Sequence, residues 1–89
     1  MIVPLSRREI ELLLGWKERA FWPDEDRVRR KLQQALEQGE PPVLSRLQVE
    51  ILQGWAEEQL GARYGGGAVL NPEEGAVRRK LQEALGEGG

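Results

Sequence analysis

Two basic triplets, Arg29-Arg30-Lys31 and Arg78-Arg79-Lys80, are the residues whose types and spacing most readily imply chemistry. Clustered guanidinium and ammonium groups bind phosphate, so the chemistry would be contact with the backbone of RNA or DNA. On a helix, however, successive side chains are rotated by about 100°. The three cations of each triplet then point in three directions instead of forming one stripe. Arg29 and Lys31 flank an apolar stripe, which their methylene stems can cover. Glu25–Arg29 and Glu74–Arg78 have the i,i+4 spacing of intrahelical ion pairs. Each triplet therefore reads first as a self-paired, solvated helix face. A nucleic-acid contact is the alternative, and it requires the fold to join the two triplets into one ridge. The net charge favours the first reading: 13 basic and 15 acidic residues give −2, whereas phosphate-binding domains are usually clearly basic.

Other reactive groups are scarce. The chain has no Cys and no His, so disulfides, thiolate chemistry and the commonest general base and zinc ligand are all excluded. Ser6 and Ser45, the only serines, stand where helix caps are needed. Carboxylates are plentiful, but they gather at the starts of helical segments, where the helix dipole accounts for them. The Glu-x-x-His pairs of a di-metal bundle are missing. The stretch Tyr64-Gly65-Gly66-Gly67 before a helix start resembles a phosphate cradle only superficially. It lacks the Lys-Ser/Thr ending and the preceding strand, and reads as a flexible connector. No catalytic residue, cofactor site or metal site is expected, and the chain reads as a non-enzyme.

What must position these residues is read from a repeat. Val28–Leu36 returns as Val77–Leu85 with eight of nine residues identical. Leu5–Trp16 matches Leu44–Trp55 at seven of twelve positions, at an offset of 39. Pro23–Leu36 matches Pro72–Leu85 at ten of fourteen, at an offset of 49. The chain thus reads as two copies, residues 1–39 and 40–89, the second carrying a ten-residue insertion at about 61–70.

Within each copy the signals give two helices. Leu5-Ser6-Arg7-Arg8-Glu9-Ile10 is a capping box with its hydrophobic staple, and Leu44-Ser45-Arg46-Leu47-Gln48-Val49 restates it. The first helix must stop before Pro23. Pro23 and Pro72 open the second helix of each copy and are followed by acidic residues. Gly39 and Gly61 are the expected stops of the second and third helices. Two amphipathic hairpins with matching faces can bury those faces against each other. The expected fold is therefore all-α: a single domain, 1–89, built as a tandem duplication of a helical hairpin and packed as a compact pseudo-two-fold four-helix bundle. A solenoid fragment is the rival, but solenoids generally need three or more repeats.

Positions where the copies disagree are the ones the shared core does not demand. Leu14 faces Gln53 in the alignment of the copies, Leu47 faces Arg8, and Trp22 faces Asn71. Leu14, Trp22 and Leu47, with Tyr64 from the insertion, are the candidate protein-interface residues. Trp16 and Trp55 occupy matching positions and are expected to anchor the core. The opening residues lack the charged flank of a signal peptide, and no apolar run approaches the ~20 residues of a membrane span. The chain reads as a cytoplasmic, non-catalytic helical interaction module that binds a protein partner or self-associates. The alternative is an RNA- or DNA-binding module using Arg29, Arg30, Lys31, Arg78, Arg79 and Lys80.

Overall fold

A serine begins each hairpin by satisfying the free N–H groups of a helix start. In the computed structural model, Ser6 Oγ accepts from the Glu9 amide at 3.2 Å while Glu9 Oε1 accepts from the Ser6 amide at 2.8 Å. Ser45 and Gln48 repeat the exchange at 3.2 and 2.9 Å. Helix α1 spans Arg7–Trp16, α2 Pro23–Gln38, α3 Arg46–Tyr64 and α4 Pro72–Gly86. The structure describes residues 1–65 and 71–86, the side chains of Arg63 and Tyr64 excepted. Among the described residues the protein is all-α, with four helices and no strand.

The starts of α2 and α4 differ. Asn71 Oδ1 caps α4, accepting from the amides of Glu73 at 2.9 Å and Glu74 at 3.4 Å. Trp22 occupies the corresponding place before α2 and supplies no side-chain cap. Helix α2 ends as expected at Gly39, whose φ of 67° lies in the left-handed region that glycine enters without steric cost. The Gly39 and Glu40 amides then donate back to Leu36 O and Ala35 O at 3.3 and 3.1 Å, closing the last turn. Helix α3 does not stop at Gly61. It continues to Tyr64 and closes on Gly65, with φ 57° and its amide donating to Gly61 O at 2.9 Å. Gly61 is tolerated inside the helix because Leu60 beside it is buried in the core at 4% exposure. Packing there outweighs the helix-breaking preference of about 1 kcal/mol.

The core is made from matching positions of the two copies. Ile10 and Val49, Leu13 and Leu52, Val28 and Val77, and Leu32 and Leu81 are all essentially inaccessible. Trp16 and Trp55, buried as expected, join them, as do Val3, Leu5, Ala35, Leu44, Ala56 and Leu60. Helices α1 and α3 each pack against the other three helices, whereas the backbones of α2 and α4 do not come within 8 Å of each other, Cα to Cα, among the described residues. The segments that precede α1 and α3 also meet. Val3 N–H donates to Pro42 O at 3.1 Å and Leu44 N–H to Met1 O at 2.8 Å, which makes an isolated antiparallel bridge at Ile2 and Val43. The radius of gyration, 12.3 Å, is that of a compact chain of this length, about 12 Å. No helix among the described residues is long and apolar enough to cross a membrane.

Candidate functional site

Helix α3 presents Leu47, Ile51 and Gly54 at i, i+4 and i+7, which places them along one face. The first turn of α2 lies beside that face. Between them runs an open groove of about 380 Å³. Leu47, Ile51 and Gly54 line it from α3, together with the buried Trp55 and, from the residue before α2, Trp22. Two of these side chains are large, apolar and open to water: Trp22 is 69% exposed and Leu47 56%. Phe21, adjacent in sequence to Trp22, is 75% exposed, with the Lys17 ammonium 5.2 Å from its ring centre.

The groove is edged with acid. Asp24, Glu25 and Glu58 line it, and no lysine or arginine does. Glu25 is held in place: Oε1 accepts from the Phe21 amide at 3.0 Å, and Oε2 accepts from the Trp55 indole N–H at 3.1 Å. The Lys17 ammonium stands 3.7 Å from Oε2. Burial pushes the Glu25 carboxyl up, but the hydrogen bonds from Phe21 and Trp55 and the Lys17 charge outweigh it. The group is held below the ordinary carboxylate range and stays ionised at neutral pH. Asp24 has only a loose, exposed pairing with Arg27, at 3.8 Å. Glu58 has no partner among the described residues.

The matching site, between α1 and α4, carries different groups. Leu47 corresponds to Arg8 and Asp24 to Glu73. Arg8 Nε and Glu73 Oε2 form an ion pair at 3.0 Å that ties α1 to α4. Trp22 corresponds to Asn71, the cap of α4. So where the α1–α4 site has a cap and an interhelix ion pair, the α3–α2 site has two exposed apolar side chains. Gly54 is exposed in the groove, and a Cβ added to it would meet nothing within 4 Å. Close packing within the chain does not require glycine there.

The other interface candidate among the described side chains, Leu14, is partly buried and packs against the core, away from the groove lining. The Tyr64 side chain lies outside the described residues, as do residues 66–70 of the insertion. The Glu25–Arg29 ion pair expected from i,i+4 spacing does not form. Arg29 Nη1 instead donates to the carbonyl oxygens of Leu14, at 3.2 Å, and Lys17, closing the end of α1. Arg30 pairs with Asp26 at 2.9 Å, and Arg79 lies 3.9 Å from Glu83. Lys31 donates to Gln48 Oε1 at 2.9 Å and Lys80 to Glu9 Oε1 at 2.7 Å. The Nε of Arg78 is buried without a partner. The triplets sit on α2 and α4, whose backbones do not come within 8 Å of each other, Cα to Cα, among the described residues.

Asp24, Glu25, Ile51, Gly54, Trp55 and Glu58 are the groove residues that sequence reasoning did not select as interface candidates. Ile51 and Gly54 share the helical face of Leu47, so the i+4 and i+7 spacing could have found them. The link between Glu25 and Trp55 crosses from one copy to the other and leaves no local signal. No family model, curated protein or solved structure matches the chain.

Proposed function

We propose that the protein is a non-catalytic interaction module that docks a protein partner in the groove between the start of α2 and the Leu47 face of α3. The observation that carries this reading is the pairing of Trp22 and Leu47. Both are exposed, both line one groove, and both stand where the other copy has a stabilising polar group. Large exposed apolar side chains that line one concave surface are the ordinary anchors of protein recognition. A heterologous partner fits better than a second copy bound through the same groove. A symmetric dimer would set one acidic rim against another.

The same proposal takes residues 1–89 as one domain in which two duplicated hairpins pack about a pseudo-two-fold axis. Support comes from reciprocal contacts: Lys31 of the first copy reaches Gln48 of the second, and Lys80 of the second reaches Glu9 of the first. These are matching residues at both ends. The nucleic-acid reading has weaker support, because most of the triplet cations are already engaged by carboxylates, carbonyls or Gln48.

Selection of peptides from a random display library tests the docking role. Peptides enriched on the wild-type protein are expected to lose binding to a Trp22→Asn/Leu47→Arg variant and to keep it with Arg8→Ala. Failure to enrich any peptide whose binding depends on Trp22 and Leu47 would sink the reading. Light scattering after size exclusion is expected to show a monomer. A dimer that dissociates on Leu47→Arg would replace partner docking with self-association.

A further inference from the structure

We infer that the occupant of the groove is a basic amphipathic helix, with an apolar ridge seated between Trp22 and Leu47 and cationic side chains on the acidic rim. The inference rests on the docking role proposed above and adds the chemical class of the partner. Three features carry it.

The first is shape. Leu47, Ile51 and Gly54 extend over seven residues of α3, about 10 Å along its axis. These residues give a shallow channel along α3, with Trp22 and Leu47 as its exposed apolar lining. Such a channel takes a ridge of side chains at i, i+3 or i+4 of a partner helix. Gly54 presents no side chain to the channel, and the space above it is open. An approaching backbone can come close there and nowhere else along the channel.

The second is charge. Every ionisable side chain lining the groove is acidic. Glu25 is held ionised by its hydrogen bonds and by Lys17. Asp24 and Glu58 are the two carboxylates left for an incoming cation, since one pairs loosely and the other has no partner among the described residues. Asp24 stands on the α2 side, and Glu58 continues the face of Leu47, Ile51 and Gly54 one turn further along α3, so cations beside the ridge and at its end each have a carboxylate to meet. An acidic or neutral partner would desolvate these carboxylates without compensation.

The third is what the groove gives up. Asn in place of Trp22 would cap α2, as Asn71 caps α4. Arg in place of Leu47 would face Asp24, as Arg8 faces Glu73. Ala in place of Gly54 would favour helix. Trp22 and Gly54 thus hold residues less stabilising than Asn or Ala would be, Leu47 forgoes an exposed ion pair, and the groove that the three line is open, apolar and acid-edged.

The test uses the full chain and labelled synthetic helices read by fluorescence anisotropy, alongside the display-selected peptides. One helix carries Leu at i, i+3, i+4 and i+7 with flanking Lys and Arg. A second replaces the cations with Glu, and a third replaces the leucines with Ser. The basic helix is expected to bind at least about 10-fold more tightly than the acidic one, and to weaken about 10-fold between roughly 0.05 and 0.5 M salt. Binding is expected to vanish on Leu47→Arg and for the Ser helix, and to fall several-fold on Asp24→Asn or Glu58→Gln, with circular dichroism showing each variant folded. The inference is overturned if the basic helix fails to bind, or binds without dependence on Leu47, Asp24 and Glu58. Display-selected peptides that are acidic or neutral, yet depend on Leu47, would overturn the basic class while leaving the docking role standing. Loss of that Leu47 dependence for all peptides would overturn both.

Discussion

Lys80 Nζ lies 2.7 Å from Glu9 Oε1, the same oxygen that accepts from the Ser6 amide in the capping box of α1. A cation from the last helix thereby fixes the start of the first, across 71 residues of chain. Lys31 makes the matching contact with Gln48 in the capping box of α3. The two contacts differ in kind. Lys80 and Glu9 form a largely covered ion pair, with side chains 26% and 9% exposed. Lys31 and Gln48 form a charge–dipole contact at the surface.

That difference gives the stability a pH dependence. Burial pushes the Glu9 carboxyl up, but the Lys80 ammonium and the Ser6 groups outweigh it and hold the carboxyl below its usual range. A carboxylate depressed in the folded state adds stability that is complete above its unfolded value, about 4.3 for Glu. That contribution is lost as the pH falls from there through the lowered folded value. Glu25 contributes in the same direction. Urea unfolding is therefore expected to show a flat stability from neutral pH to about 5 and a fall below about 4.3. Glu9→Gln keeps the capping box, since Gln48 fills that role in the other copy, but removes the ion pair. It is expected to cost about 1 kcal/mol at neutral pH and to flatten the acid limb. An unchanged acid limb in this variant would show that other carboxylates set it.

Arg29 and Arg78 stand at matching positions and are expected to respond differently. Arg29 closes the end of α1 through the Leu14 and Lys17 carbonyls. Helix α3 does not end at its matching residues, Gln53 and Ala56, but runs on to Tyr64, and the Arg78 Nε is buried without a partner. Arg29→Met is expected to destabilise by about 1.5–3 kcal/mol, the value of charge-assisted bonds. Arg78→Met is expected to be neutral or stabilising, because it removes a buried unsatisfied donor. Paired denaturation curves decide. Equal losses at both positions would mean that packing of the methylene stems sets the cost.

The four helices were legible because their signals are local. The Ser6 and Ser45 boxes, Pro23, Asn71-Pro72 and Gly39 each act within one turn of the residue they control. The core was legible because matching apolar positions recur at fixed offsets. What could not be read are the links between copies. Lys80 to Glu9, Trp55 to Glu25 and the bridge of Ile2 with Val43 depend on how the hairpins pack, and no spacing encodes that. The end of α3 was misplaced for the same reason, since Leu60 is held by the core and carries the helix past Gly61. Of the groove, Trp22 and Leu47 were visible as departures from the repeat. Its other lining residues and acidic rim required α2 and α3 to be set side by side.

Giving the groove the residues of the matching α1–α4 site is expected to raise stability at one position and leave it nearly unchanged at the other. Trp22→Asn supplies the cap that α2 lacks and is expected to add about 1 kcal/mol. Leu47→Arg brings a guanidinium toward Asp24 and is expected to change stability by no more than about 0.5 kcal/mol, as exposed ion pairs do. Thermal unfolding of both variants checks this. A marked loss of stability in either would mean that Trp22 or Leu47 is a structural residue despite its exposure, and the case for a docking groove would lose its anchors.

Gly54 separates folding from docking most cleanly. It lies inside α3, where glycine is disfavoured relative to alanine by about 1 kcal/mol. Its φ is not positive, and a Cβ there meets no other atom within 4 Å. Gly54→Ala is therefore expected to raise the melting temperature by about 4–8 °C, the equivalent of that free energy in a domain of this size. A longer side chain at the same place, as in Gly54→Gln, is expected to keep most of the gain, because it extends into the open groove and not into the core. The same side chain fills the one stretch of the channel where a partner backbone can approach, so Gly54→Gln is expected to abolish docking while Gly54→Ala only weakens it. Stabilisation together with loss of peptide binding would mark Gly54 as a residue kept for recognition. Destabilisation by Gly54→Ala would show instead that the glycine serves the fold.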